Sequence, residues 1–171
     1  MVEKQPYRVE RSLGESMELR HYPAHRVISV DVGGGIEEAG NRGFGPLVGY
    51  ISGANASRQK IAMTSPVLQE ESDDYQRVSF VLPQDWWDRQ APAPLGDQVR
   101  IEDRPAGVFA AITFRGGWRE EKVRAHEKLL RDTLEASGIL AIGPALYARY
   151  DPPSVPGIFR RNEVLIPVAA E

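Results

Sequence analysis

The chain of 171 residues contains no cysteine, only three histidines and no long apolar run. Without cysteine it forms no disulfide, offers no thiolate nucleophile, and cannot hold a cysteine-ligated zinc, an iron–sulfur cluster or a thioether-linked cofactor. Its apolar stretches fall well short of the roughly 18 residues that indicate a membrane-spanning helix. Any cofactor must therefore be held without a covalent bond to sulfur.

The charge balance shows no basic excess that would attract a polyanion. Lysine and arginine number 21 against 24 acidic residues, a net charge of −3. Nucleic-acid-binding domains usually carry a basic excess gathered on one face. The first residues are polar and lack the apolar core of a secretory signal. We therefore expect a cytoplasmic protein without nucleic-acid or membrane partners.

Two stretches of the chain repeat each other at an offset of 82 residues. Residues 23–32 and 105–114 both begin Pro-Ala, carry apolar residues at matching positions, and run into the glycine pairs 34–35 and 116–117. Their β-branched and aromatic content, with partial alternation, predicts a strand in each. The match indicates an internal duplication.

Each predicted strand is followed by one helical candidate and two extended runs. A helix is predicted over about 36–51, although its glycines and Pro46 weaken it, and a stronger one over about 120–136. The extended runs are 61–69 and 76–83 in the first half, and 146–150 and 162–168 in the second. A proline-rich connector lies between the halves.

This order predicts an α+β fold built from a duplicated β-α-β-β unit. We expect a single domain over residues 1–171, with pseudo-repeats at about 7–90 and 97–169, because a unit of about 80 residues with one helix covers its core poorly alone. The expected sheet is curved, mainly antiparallel and flanked by two helices. A small-molecule cleft is expected between the two halves.

The usual enzyme signatures are missing from the sequence. It has no G-x-S-x-G elbow, no phosphate-binding G-x-x-x-x-G-K loop and no H-E-x-x-H, and Gly33-Gly34-Gly35 does not match a dinucleotide fingerprint. The sequence predicts a binding protein and not an enzyme. A hydrolase built on this scaffold stays open, because a fold does not fix a function.

Five short motifs occur in an order that covers nearly the whole chain. They are L-R-H-Y-P at 19–23, K-I-A-M-T-S-P-V at 60–67, I-E-D-R at 101–104, Y-D-P-P at 150–153 and R-R-N-E-V at 160–164. This set resembles the SOUL haem-binding protein family. The resemblance implies a barrel-like sheet of about eight strands. It also implies a b-type haem or other porphyrin, held non-covalently in an apolar cleft without a separate metal.

Haem binding requires an apolar slot, an axial ligand where iron is held, and basic groups near the propionates. The resemblance implies that His21, beside Tyr22, is the candidate ligand for haem iron; the alternative is a surface histidine. His25 lies four residues later, on the same strand face if the strand is regular. His126 falls on the apolar stripe of the second helix and is predicted to pack there.

The resemblance further implies that the first helix forms one wall of the cleft. Phe44, Leu47 and Tyr50 offer apolar surface to a planar ligand, and Arg42 is the only basic residue of this helix. The helix glycines either make room for a flat ring or let helix and sheet approach closely. Met63 can ligate iron or contact the ring, although core packing is the favoured interpretation.

Glu163 lies in an apolar terminal strand, where a charge is costly unless it is paired. A structural ion pair with the flanking arginines is the leading interpretation, and contact with a cationic ligand is the alternative. The favoured function is therefore a monomeric carrier or buffer of a tetrapyrrole. The alternative function is an effector-type module that binds other hydrophobic or cationic small molecules without haem.

Overall fold

The computed structural model describes residues 2–170 of the chain. Two helices, eleven strands and two short 3-10 turns (Gln84–Trp86 and Gly157–Phe159) are present in this range. The strands are β1 (Glu3–Lys4), β2 (Arg8–Gly14), β3 (Met17–Tyr22), β4 (His25–Val32), β5 (Thr64–Ser65), β6 (Val67–Glu71), β7 (Gln76–Val81), β8 (Arg100–Arg104), β9 (Gly107–Arg115), β10 (Leu146–Arg149) and β11 (Arg161–Pro167). The helices are α1 (Ala39–Ile51) and α2 (Glu120–Ala136).

The described residues form two compact units. Unit 1 contains residues 2–5 and 24–105, and unit 2 contains residues 6–23 and 106–170. Residues 6–23 thus precede most of unit 1 in the chain but belong to unit 2. No helix in residues 2–170 is both long and apolar enough to span a membrane.

Unit 1 is built on antiparallel strands in the order β6-β7-β4-β8, with α1 packed against β4 and β7. Strands β1 and β5 add a short parallel pair. The alternating apolar residues of β4 and β7 meet the apolar face of α1, and the resulting core includes Ile28, Val30, Leu47, Val78 and Phe80. This packing confirms the first predicted β-α-β-β order.

Helix α1 lies unusually close to the sheet at Gly43. A Cβ atom on this residue would stand 2.7 Å from Cβ and 2.8 Å from Cγ2 of Val78. At Gly45 and Gly49 the same atom would meet nothing within 4 Å. Close approach of helix and sheet therefore explains Gly43, whereas the other two glycines face open space. The helix begins at Ala39, three residues later than predicted.

Unit 2 is built on antiparallel strands in the order β2-β3-β9-β11-β10. Helix α2 has the predicted bounds and packs on β9 and β11 through Val123, Leu130 and Leu134, which are buried. Two glutamates in its first turn suit the positive end of the helix dipole. The β9-α2-β10-β11 order confirms the second predicted β-α-β-β unit.

The α+β class is confirmed, with two outer strands that the sequence patterns did not reveal. Among the described strands, β8 pairs only with β4, and β2 pairs only with β3. Neither unit therefore contains a closed barrel. Both outer strands are rich in charge and largely lack the alternation of apolar residues that marks a half-buried strand.

Candidate functional site

A buried ion pair joins β3 to β11 within unit 2. Arg20 and Glu163 leave only 1% and 0% of their side chains exposed. The guanidinium donates two parallel hydrogen bonds, from Nη1 to Oε1 at 2.7 Å and from Nη2 to Oε2 at 2.6 Å. Both strands pair with β9, where Arg20 lies opposite Phe109 and Glu163 lies opposite Thr113. Such bidentate pairs are among the strongest hydrogen-bonded contacts in proteins.

Three further side chains complete the shell of the Glu163 carboxylate. Thr113 Oγ1 donates at 2.7 Å, Tyr150 OH at 2.9 Å and Arg161 Nη2 at 2.9 Å. Together with the two bonds from Arg20, five donors reach the two carboxylate oxygens, enough to satisfy a buried carboxylate. The flanking residue Arg161 takes part as predicted, but the principal partner is Arg20.

Tyrosines enclose the arginine side of this cluster. Arg20 Nη1 donates to Tyr22 OH at 2.9 Å, and the Arg20 guanidinium lies 4.0 Å from the ring centre of Tyr7. The Arg161 guanidinium lies in the same way 4.1 Å from the ring centre of Tyr150. Tyr22, a predicted haem contact, is thus buried in the Arg20–Glu163 cluster.

The surroundings fix the protonation states of these groups. Burial alone would raise the pKa of Glu163, but hydrogen bonds and charge from Arg20, then from Arg161, outweigh it and lower the pKa to about 2. Burial opposes the charge on Arg20, yet the contacts with Glu163 raise its pKa above the usual value. Burial and then the negative charge of Glu163 raise the pKa of Tyr150. The pair is therefore ionised and Tyr150 is neutral at physiological pH.

His21 lines a cavity of about 580 Å³ in unit 2. It lies on β3, and among residues 2–170 no hydrogen-bond partner holds its ring. Ligand pockets typically measure about 300–1,000 Å³. Most other lining residues are apolar or glycine, joined by one acid and one base; they are Leu19, Val108, Gly138, Ile139, Leu140, Ala169, Ala170, Glu10 and Arg11.

The predicted contacts from the first helix lie in unit 1 and differ in exposure. Phe44 keeps 44% of its surface exposed and meets Phe80 edge to face, and Arg42 is exposed. Leu47 and Tyr50 are buried in the unit 1 core, and Tyr50 donates to the carbonyl of Pro92. Met63 packs against the same core, as the favoured interpretation predicted.

The other two histidines are placed differently from His21. His25 lies on β4, so the prediction that it shares a strand face with His21 is wrong; Pro23 and Ala24 separate the two strands. His126 is half-buried and stacks on Phe114 with ring centres 4.0 Å apart, and its Nδ1 contacts the carbonyl of Lys122 at 2.7 Å. Its predicted packing role is confirmed.

A sequence model described as SOUL heme-binding protein matches residues 2–167. The chain belongs to the SOUL haem-binding protein family. Heme-binding protein 1 of Xenopus laevis is 30% identical over 159 residues, which cover 88% of this chain and 83% of that protein. Such SOUL relatives are named for haem binding and not for catalysis.

Solved structures with low sequence identity share the fold of this chain. The crystal structure of the EcmrR C-terminal domain matches with a TM-score of 0.65 at 15% identity, covering 96% of this chain and 99% of that one. The structure of SAV2435 bound to tetraphenylphosphonium matches with a TM-score of 0.51 at 8% identity, covering 90% and 94%. At these identities the likeness concerns the fold alone.

Sequence reasoning on this SOUL chain missed most of the Glu163 shell. Thr113 lies 50 positions and Tyr150 lies 13 positions from Glu163 in the chain, and neither belongs to a pattern that marks a polar cluster. Arg20 stood out little as a buried charge, since its strand M-E-L-R-H-Y mixes polar and apolar residues. A second charge of opposite sign in a predicted buried strand could have suggested the pair.

Proposed function

We propose that this protein binds haem or a related porphyrin non-covalently in the His21 cavity of unit 2. The observation that carries the proposal is the position of the one histidine singled out as an axial ligand, on the wall of a cavity of about 580 Å³ that apolar side chains line in part. Membership of a family described by haem binding supports the same ligand.

The cavity residues fit the chemical requirements of a haem. Leu19, Val108 and Ile139 offer apolar contacts to a macrocycle, and Arg11 is the basic group for a propionate. The His21 ring would be the axial ligand. Bound haem would supply an iron whose spectrum and potential depend on that ligand. Glu10 lies on the same wall and would repel a propionate, which restricts the orientation of the ligand.

The role that follows is carriage or buffering by a cytoplasmic monomer. A chain without cysteine cannot attach haem through thioethers, so the bound form is b-type. The absence of enzyme motifs and the names of the relatives favour binding over catalysis. Among the predicted contacts on α1, Phe44 and Arg42 have exposed surface for a ligand; Leu47 and Tyr50 would have to leave the core to touch one.

The alternative function, binding of a cationic ligand through Glu163, receives less support. Both oxygens of this carboxylate already accept hydrogen bonds from Arg20, and Arg161 neutralises it further. A cation would have to displace a bidentate arginine from a buried position, which is costly. A cationic dye that binds the wild type and is lost in Glu163→Gln, with no competition from haem, would reverse this preference.

Haemin titration followed by the Soret band tests the proposal. We expect a saturable shift in the wild type and in the matched controls His25→Ala and His126→Ala, and a changed spectrum with weaker binding in His21→Ala. An iron-free porphyrin should bind the wild type and His21→Ala alike, since His21 acts through iron. No saturable shift in the wild type refutes haem binding, and an unchanged His21→Ala spectrum refutes the ligand.

A substitution in the cavity wall tests whether the ligand binds in this cavity. Leu140 is 68% exposed, so Leu140→Glu should leave the fold intact while placing a carboxylate in the cavity. We expect it to weaken binding of both haemin and iron-free porphyrin. The control Leu95→Glu changes a leucine of unit 1 that is 64% exposed and should bind like the wild type. Equal affinity of both variants would place the ligand elsewhere.

A further inference from the structure

The loop between β10 and β11, residues 150–160, displays two large apolar side chains to solvent. Ile158 is 74% exposed and Phe159 is 59% exposed, the former being the most exposed of the large apolar residues in the described chain. The two are adjacent, at a short 3-10 turn. Neighbouring exposed apolar residues at a loop tip form a patch that calls for an explanation, unlike single ones scattered over a surface.

The backbone of this loop is held in place by arginines. Arg160 donates from Nε to the carbonyl of Val155 and from Nη2 to that of Pro153, both at 2.7 Å. Arg115 Nη1 donates to the carbonyl of Phe159 at 2.9 Å. The exposed pair is therefore presented on a preformed support, which lowers the entropy lost when the loop docks on a partner.

The base of the loop is cationic. Arg149 is half-buried against the Trp118 ring, 5.1 Å from its centre, and among residues 2–170 no carboxylate lies within ion-pair distance of it. Burial, and then the charge of Arg160, lower the pKa of Arg149. Asp151 is the acid within the loop, and its carboxylate accepts the backbone N–H of Arg161 at 2.7 Å. An anion beside Arg149 would relieve this uncompensated charge.

The guanidinium groups beside the loop keep donors for such an anion. Arg160 uses two of its five N–H donors and Arg115 uses one in holding the loop backbone. The combination of free arginine donors with exposed apolar side chains matches an amphiphile with an anionic head. A symmetric contact with a second copy would instead bring arginines of equal charge together, which is unfavourable.

We propose that the β10–β11 loop docks on the surface of an anionic lipid bilayer. The two apolar side chains lie among the upper acyl chains, and the three arginines lie at the level of the lipid phosphates. Two apolar residues are too few for a stable protein interface of about 800 Å² per partner, but they suit shallow insertion into a bilayer. Such docking needs no spanning helix and would revise the prediction that membranes are not partners.

Co-sedimentation with lipid vesicles tests this docking. We expect the wild type to sediment with vesicles that contain phosphatidylserine, at low salt, and to stay in solution with phosphatidylcholine alone. Ile158→Ser with Phe159→Ser should weaken binding about tenfold or more, since two apolar side chains lose their burial. Arg149→Gln should weaken it about fivefold, and added salt should weaken all binding.

The matched control replaces two exposed apolar residues outside the loop. Leu95→Ser with Ile142→Ser removes side chains that are 64% and 61% exposed, and we expect vesicle binding like that of the wild type. No binding by the wild type, or equal losses in the two double variants, overturns the proposal. Complete competition by soluble glycerol phosphate would also overturn it, because it would indicate a site for a small anion. Self-association that depends on Phe159 would overturn it as well. None of these outcomes bears on haem binding.

Discussion

Arg20 and Glu163 are separated by 143 positions in the chain but share one buried contact with two parallel hydrogen bonds. The sequence allowed Glu163 to be predicted as half of an ion pair, because a carboxylate in an apolar strand requires a partner. The identity of the partner could not be predicted. It depends on β3 and β11 both pairing with β9, a fact of topology that no local pattern contains.

Removal of the carboxylate charge is expected to destabilise the protein strongly. Glu163→Gln removes the main counter-charge of buried Arg20 and leaves it only the longer contact with Glu18 Oε1 at 3.6 Å, so we expect a loss of about 3–5 kcal/mol in the free energy of unfolding. Urea denaturation followed by circular dichroism measures it. As a control, Lys128→Gln breaks an exposed pair with Asp132 and should leave the midpoint unchanged.

A second substitution distinguishes buried charge from lost packing. Adding Arg20→Met to Glu163→Gln removes the buried cation that has lost its main partner, so we expect the double variant to regain part of the lost stability. If the double variant is instead less stable than either single variant, uncompensated charge is not the cause of the loss.

The same carboxylate predicts a defined acid dependence of stability. The pKa of Glu163 falls from 4.5 to about 2 on folding, so the unfolded chain binds its proton first as the pH decreases. The contribution is complete above pH 5 and disappears as the pH falls through about 2, a change of about 3 kcal/mol. The wild type should therefore lose more stability than Glu163→Gln between these pH values. Parallel curves for the two proteins would contradict this assignment.

At the scale of elements, two glycines of α1 have opposite expected effects. Gly43→Ala places a Cβ 2.7 Å from Val78 and should cost about 1–3 kcal/mol. Gly49→Ala meets nothing within 4 Å and should stabilise the helix by about 0.5–1 kcal/mol. Thermal unfolding of the two variants measures both. Val78→Ala should partly rescue Gly43→Ala, and a Gly43→Ala protein as stable as the wild type would show that the helix is free to shift.

Elements whose apolar residues recur at a regular spacing could be predicted from the sequence. Strands that lack this spacing and are recognised only by their pairing with other strands could not. The α2 stripe of Val123, Leu130 and Leu134 gave the bounds of the helix. Strand β2 is almost wholly exposed and β8 carries a charge at four of its five positions, so neither has the alternation that marks a strand. The cavity beside His21 was likewise not predictable from local patterns, because part of its lining comes from β9 and from the segments after α2 and β11.

At the scale of the whole molecule, the two units use the chain differently. Unit 1 is nearly continuous, whereas unit 2 joins residues 6–23 to residues 106–170. The N-terminal segment supplies β2, β3 and Arg20 to unit 2. The folding of unit 2 therefore depends on a segment that precedes most of unit 1 in the chain.

Deletion of residues 1–23 should loosen unit 2 in particular. Without β3, β9 loses a partner strand and Glu163 loses its main counter-charge, so we expect amide exchange in β9, β11 and α2 to accelerate about tenfold or more. Hydrogen–deuterium exchange mass spectrometry measures this. A control that lacks only residues 1–5 should keep the protection of unit 2. Equal acceleration in α1, β4 and α2 would mean that unit 1 depends on β3 as strongly as unit 2 does.

Because unit 2 is built from two separate segments, its first strands are synthesised well before the strand that carries Glu163. A ribosome that adds about 5–20 residues per second reaches Glu163 roughly 7–30 s after it has passed Arg20. During this interval unit 1 can be completed, while the β2–β3 hairpin has emerged without its partners. Charged, exposed edge strands resist pairing with other chains, so we expect β2 to keep the early hairpin soluble on the ribosome until β11 has been made.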